Sequence, residues 1–334
     1  VRTERRPLTR AVAAIAFAVA SAVAPPLHAK PPALDPQIAE RVLALSAERI
    51  TERDVVDVLV HAPTPKLLLF AGSVPLVTMR PVAEFFIAMG YPRERIENPR
   101  DGSLWYGSFA DSAALAGSVA WHYEHDGVRP MLIGHSRGGM IVVQVLHELA
   151  GEFAPRIDVR DPRSGAALAR DAIIDPLTGR ERPVVGLSVS YAAAIATGKL
   201  MRVLLGQWDM LAKLRAIPDS VDEFTGYFIP GDPFEGTAEP HPYRATGRAL
   251  VRNVTLPSDV GHVSAPLIAA LAGDPAARAW IEAYTPDAPL APLPRAASGE
   301  VANIVHAADL WYSVKKHWCI EAQRLARAQP TEAR

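Results

Sequence analysis

The chain is nearly devoid of cysteine. Cys319 is the single one among 334 residues, so no disulfide can form within the chain. Zinc sites built on paired cysteines are excluded for the same reason. Cys319 falls late in a C-terminal helical stretch and reads as a buried packing residue rather than a nucleophile. An excess of charge is missing too. Thirty-five basic and 36 acidic side chains leave a formal charge of −1. That balance gives no electrostatic footprint for nucleic acid or an anionic membrane surface. No His, Asp and Glu cluster has metal-ligand spacing, so no metal is expected. Beyond the first thirty residues no apolar run is long enough to span a bilayer, and there is no internal repeat.

What is there begins with a leader. Arg2, Arg5, Arg6 and Arg10 form a basic start, Ala11 to Ala24 is small and apolar throughout, and Leu27-His28-Ala29 supplies a cleavage box. Residues 1–29 are therefore expected to be a signal peptide, with the mature chain secreted or periplasmic and holding no membrane span. An uncleaved anchor is the alternative, and Arg5-Arg6 raises a twin-arginine signal as a variant of the first reading. Residues 30–334, drawn from a chain that is 49% hydrophobic, are expected to form a single α/β domain.

Within that domain, Met131 to Gly139 reads Met-Leu-Ile-Gly-His-Ser-Arg-Gly-Gly. A short apolar strand runs into G-x-S-x-G at Gly134, Ser136 and Gly138, and a helix from Met140 to Leu149 follows. The bare pattern is weak, but the strand before it and the helix after it are the context a nucleophile elbow needs. The glycines leave room for strand and helix to approach, and the serine is forced into a strained turn.

In chain order, Leu34 to Ile50 reads as a helix and Val55 to Val60 as a β-rich run. Lys66 to Phe70 is a buried strand leading into Ala71-Gly72-Ser73-Val74. Helices are expected over Pro81 to Met89 and Ala110 to His125, with a weak strand at Arg95 to Asn98 between them. Residues 151–182 change texture and read as an insertion with a hairpin around Asp175 to Gly179. Val184 to Val189 resumes as a strand. Gly198 to Ala216 reads as a helix with Met201, Leu204, Leu205, Trp208 and Leu211 on one stripe. Residues of about 198–225 form either a cap over the site or an element packed on the sheet's side. Strands at Tyr227 to Ile229 and Leu250 to Leu256 lead into Pro230-Gly231-Asp232-Pro233 and Asp259-Val260-Gly261-His262. Val263 to Leu271 and Val301 to Arg327 read as helices. The alternation of strand and helix predicts a mostly parallel sheet with helices on both faces.

Ser136, Asp232 and His262, in this order and each just after a strand, resemble the α/β-hydrolase superfamily over about Lys66 to Leu271. The resemblance implies a mostly parallel eight-stranded sheet and a serine hydrolase acting through an acyl-enzyme. It makes Ser136 the nucleophile, His262 the base and Asp232 its orienter. Asp209, Asp219 and Asp259 compete with Asp232, and His241 competes with His262. His135 lies beside the serine on a turn expected to point it away. His122, His125 and His147 read as helix-surface or packing residues. Backbone donors for an oxyanion are implied at Arg137 and at Ser73 or Val74, although Ala71-Gly72 stands where the family commonly has His-Gly. Leu204, Trp208 and Leu211 are candidate walls of an apolar acyl pocket. No organic cofactor is required. The expected partner is a small-molecule or lipid-like ester. The same three residues also suit a thioesterase, an amidase or peptidase, or an acyltransferase. A binding protein without catalysis is the competitor from another class.

Overall fold

The computed structural model describes residues 34–74, 77–198, 210–234, 242–286, 288–295 and 301–329. The expected leader at 1–29 lies outside them. Two helices, α1 (Pro36–Ala44) and α2 (Glu52–Asp57), come first. The strand β1 (Leu67–Phe70), helices α3 (Arg80–Ala88) and α4 (Ser112–Asp126), strand β2 (Met131–His135) and helix α5 (Arg137–Leu149) follow. Next come a hairpin of β3 (Ala172–Ile174) and β4 (Glu181–Pro183), then β5 (Val189–Ile195), the one-turn helix α6 (Met210–Lys213), β6 (Ala216–Ile217) and β7 (Val221–Phe228). The chain closes with β8 (Arg244–Ala245), β9 (Leu250–Thr255), α7 (Pro275–Ala283) and α8 (Ile304–Ala328).

Five strands form one sheet in the order β1-β2-β5-β7-β9. Every neighbouring pair in it is parallel. Side chains alternate between its faces. Leu67, Leu69, Met131 and Ile133 join one apolar cluster with residues of α3, α7 and α8. Leu68, Phe70 and Leu132 join another with α4 and α5. With both faces covered, β1 and β2 carry continuous apolar runs, and burial of such runs drives the assembly. Among the described residues no helix is long and apolar enough to cross a membrane.

Outside β1 there is a single parallel bridge, Phe70 to Tyr106. Tyr106 donates its N–H to the Leu69 carbonyl at 2.7 Å, and Ala71 donates to the Tyr106 carbonyl at 3.0 Å. The chain therefore leaves β1 on one side and returns as β2 on the other. Such a reversal opens a crevice at the carboxyl ends of the two strands, where ligands bind in open α/β sheets.

Several elements differ from expectation. The resemblance implied eight strands, whereas among the described residues five are paired into the sheet. Val55 to Val60 is no strand: Thr51 and Asp54 form a capping box that starts α2, which ends at Asp57 before a 3₁₀ turn at Leu59–His61, and the cap outweighs the β-branched run. The first helix ends at Ala44, since Leu45 is extended, and a 3₁₀ turn at Ala47–Arg49 follows. Arg95 to Asn98 is no strand, because Arg93–Arg95 is a 3₁₀ turn. The strand expected at Val184 to Val189 begins only at Val189, since β4 pairs Pro183 back to Ala172 in the hairpin. Of the expected helix at 198–216, residues 199–209 lie outside the description, while Met210–Lys213 is helical and Ala216–Ile217 is a short strand. Residues 221–225 belong to β7, not to a cap, and β7 starts six residues before the expected Tyr227. Val263 to Leu271 holds turns and a 3₁₀ segment at Ala269–Ala272, as Pro266 breaks any longer helix.

Candidate active site

Ser136 sits between β2 and α5 with φ 55° and ψ −121°. A non-glycine residue rarely holds a positive φ, and here the packing around the turn enforces it. A Cβ on Gly134 would overlap the carbonyl of Gly138, and one on Gly138 would overlap the carbonyl of Phe70. A Cβ on Gly72 would stand 2.9 Å from the Cβ of Ser136. The glycines thus let β1, the elbow and α5 meet at one point.

Asp232 and His262 arrive from the other flank of the sheet. Beyond β7, Gly231 takes φ 73° and the Asp232 N–H donates to the Ile229 carbonyl at 3.2 Å, closing a tight turn. Beyond β9, the Gly261 N–H donates to Ser264 Oγ at 3.0 Å, and the Ala265 N–H to the Gly261 carbonyl at 2.9 Å. These bonds pin the turn that carries His262.

The three side chains meet. His262 Nδ1 lies 2.6 Å from Asp232 Oδ2, and Nε2 lies 3.0 Å from Ser136 Oγ. Asp232 Oδ1 accepts the Phe234 N–H at 2.8 Å. Both Asp232 and His262 are buried, at 5% and 7% exposure, so water does not compete strongly for these bonds. A carboxylate at Nδ1 makes that nitrogen the donor and leaves Nε2 with a lone pair facing the hydroxyl. A hydroxyl held in this way can surrender its proton as it attacks an electrophilic carbon. The competing acids are elsewhere: Asp219 accepts the N–H groups of Arg248 and Ala249, and Asp259 is exposed. Asp209 and His241 lie outside the described residues.

His135 does not point away. It is buried at the end of β2, and its Nε2 donates to the His262 carbonyl at 2.8 Å. Burial first, and the nearby His262 second, push its pKa down to about 3, so the ring is neutral at ordinary pH. The sequence carries no signal for this contact beyond adjacency to Ser136. His122 and His147 are buried packing residues of α4 and α5. Cys319 is buried as well, and desolvation raises its thiol to about 12.

Arg137 opens α5, so its N–H has no carbonyl of the helix to bond, and among the described residues neither it nor the N–H groups of Ser73 and Val74 make a hydrogen bond. Ser73 Oγ is buried without a partner among the described residues. Beside His262 an open groove of about 470 Å³ runs between residues 229–234 and 260–267. Phe234, Val263 and Leu267 expose 43%, 48% and 44% of their surface there, an apolar patch bordering two of the three polar groups. The Phe234 ring stacks on His262, with centroids 4.4 Å apart. Ser136 does not line the groove. Leu204 and Trp208, expected as pocket walls, lie outside the described residues. Leu211 belongs to α6, but its side chain likewise lies outside the description. Among the described residues no group of three His, Cys, Asp or Glu side chains gathers as metal ligands would. No protein-family model matches the chain, and no curated protein and no solved structure matches it either.

Proposed function

We propose that the chain is a serine hydrolase of the α/β-hydrolase type, cleaving carboxylic esters through an acyl-enzyme. One observation carries the reading: the unbroken chain from Asp232 through His262 to the strained Ser136, at 2.6 and 3.0 Å. The sheet order and the position of the three residues after β2, β7 and β9 support it.

In the first step Ser136 Oγ bonds to the ester carbonyl carbon, and its proton passes to His262 Nε2. Asp232 stabilises the imidazolium without taking the proton. The negative oxygen forms beside the N–H groups of Arg137 and of Ser73 or Val74, which have no other acceptor among the described residues. The carbon–oxygen bond to the alcohol then breaks, and His262 returns its proton to the leaving oxygen. Water repeats the sequence on the acyl-enzyme, with His262 as base, and frees the acid. The apolar groove beside His262 suits the alcohol portion of a lipid-like ester. The leader expected at 1–29 would suit work outside the cytoplasm.

The test is a fluorophosphonate probe and a panel of nitrophenyl esters offered to the full chain and to Ser136→Ala. Labelling and turnover are expected in the wild type only. Asp232→Asn is expected to lower kcat on the order of 10³- to 10⁴-fold. A wild-type protein that neither labels nor turns over any ester would sink the proposal.

A further inference from the structure

We infer that Arg137 reads a carboxylate on the acyl part of the substrate, so that the site takes half-esters of dicarboxylic acids. The inference rests on the serine-hydrolase reading and deepens it.

The side chain of Arg137 is half-buried immediately after Ser136. Its Nε and Nη1 are sealed from solvent and have no hydrogen-bond partner among the described residues. Its Cζ lies 4.1 Å from the centre of the Phe109 ring. Other half-buried arginines are satisfied differently. Arg129 is paired with Glu321 and Asp222, Arg170 with Glu124, and Arg252 with Asp309 and Glu223. Arg215 also has two orphaned nitrogens. It donates to the Thr197 carbonyl at 2.7 Å and lies against the rings of Phe228 and Tyr243. Among the described residues Arg137 has an aromatic face and nothing else. A guanidinium keeps its charge under all ordinary conditions. Sealing its donors from water without an acceptor is unfavourable, and a single ring recovers only part of the loss. Desolvation is accordingly the sole cause resolved for its lowered pKa. The missing acceptor is one that a ligand brings.

Topology says which part of the ligand. His262 must return a proton to the leaving oxygen, so the alcohol lies on the flank of β7 and β9, next to the groove. The acyl chain then extends toward the opposite flank. Phe109 stands there, three residues beyond the Tyr106 bridge on the outer edge of β1, and it is 76% exposed. The Arg137–Phe109 pair therefore borders the acyl side. A carboxylate matches the planar fork of a guanidinium with two parallel bonds. The amino end of α5 favours the same charge.

The experiment compares mono(4-nitrophenyl) glutarate with 4-nitrophenyl pentanoate, two esters of equal acyl length that differ in the terminal carboxylate. For the wild type, kcat/KM is expected to favour the glutarate at least about tenfold, the range of one charge-assisted fork. The preference should disappear in Arg137→Met and be intermediate in Arg137→Lys, which keeps the charge without the fork. Using the ratio cancels any disturbance of the backbone N–H at 137, since both esters depend on it. A wild type that prefers the neutral ester, or an unchanged ratio in Arg137→Met, overturns the inference. A second arm does not need turnover. Ser136→Ala should bind monomethyl glutarate, measured by calorimetry, at least about tenfold more tightly than Ser136→Ala/Arg137→Met. Equal binding overturns the inference even where ester hydrolysis itself has failed. Hydrolysis of both esters without a charge preference overturns this inference and leaves the hydrolase reading standing.

Discussion

His135 holds the backbone of His262: the Nε2–H of one donates to the carbonyl of the other across 2.8 Å. The two rings lie 4.9 Å apart. Residue 135 ends the strand that presents Ser136, so this bond ties the proposed base to the element carrying the proposed nucleophile. His135→Leu would leave a buried carbonyl unpaired and is expected to cost about 1–3 kcal/mol in stability. It should also slow acylation, because displacement of a reacting group by a fraction of an ångström to an ångström costs roughly 10- to 100-fold. His135→Gln, which supplies a donor again, should recover much of the rate. The rate of fluorophosphonate labelling at Ser136 reads this directly. Labelling as fast in His135→Leu as in the wild type would remove the positioning role.

Three glycines should separate activity from stability. At Gly72 an added Cβ meets the Cβ of Ser136 at 2.9 Å. Gly72→Ala is expected to shift the serine and abolish most turnover while the fold persists. At Gly138 the added atom meets the backbone carbonyl of Phe70, which cannot rotate away. Gly138→Ala should lose at least about 2 kcal/mol through overpacking. Gly179 has open space around it but holds φ 68°. Gly179→Ala should cost about 1–2 kcal/mol through the left-handed conformation alone and leave kcat/KM untouched. Urea unfolding and ester kinetics on the three variants check the order.

These contrasts show why some of the molecule could be read from the sequence. Ser136, Asp232 and His262 each follow a strand and sit in turns written locally by Gly134 and Gly138, Pro230-Gly231, and Gly261. Local turn chemistry is visible residue by residue. The start of β7 was not. Asp222 and Glu223 break its apolar pattern, yet Glu223 is buried because Arg252, Lys316 and His317 surround it. Those partners come from β9 and α8, some 30 to 90 residues further along. The Val55 to Val60 run misled in the opposite way, since side-chain preference pointed to a strand while the Thr51–Asp54 cap had already set a helix. The contact of His135 depends on a loop 127 residues away, and no local pattern encodes it.

Asp309 makes the last helix part of the sheet. It is fully buried on α8 and accepts from Arg252 Nη1 and Nη2 at 2.9 and 3.0 Å. Tyr284 donates to it at 3.0 Å, and Tyr227 Oη also donates. Arg252 comes from β9 and Tyr227 from β7. Asp309→Leu would remove the acceptor of both Arg252 Nη atoms and leave Glu223 as its remaining counter-charge, at a cost of about 1–3 kcal/mol. Arg252→Met with Asp309→Leu should be less damaging than the sum of the two single changes, because the bonds between the two side chains are then lost only once. Denaturant melts of the cycle measure the coupling. Additive single effects would mean that the pair does not hold α8 to the sheet.

The buried histidines set an acid limit. Burial lowers His122 to about 4, His306 to about 4 and His135 to about 3. In the unfolded chain each titrates near 6.5. Above that value the two states bind the same number of protons at these sites. As pH falls below it, the unfolded chain takes up protons that the folded one refuses. Stability is therefore lost from about pH 6.5 down to about pH 4, by up to about 1.4 kcal/mol per pH unit for each histidine. Carboxylates held low, such as Asp126 at about 2, add to the loss only as pH approaches the ordinary carboxylate range near 4. The window between pH 6.5 and 5 thus isolates the imidazoles. His306 donates through Nε2 to the Ala265 carbonyl at 2.8 Å, a bond that glutamine can imitate. His306→Gln should flatten the slope of unfolding free energy against pH by up to about 1.4 kcal/mol per unit in that window. Urea unfolding at pH 7.5, 6.5, 5.5 and 5 (values chosen to bracket the window, each about a unit or less apart) supplies the slope. A wild-type stability that stays flat from pH 6.5 to 5 would mean these rings are protonated in the folded protein, against the burial that surrounds them.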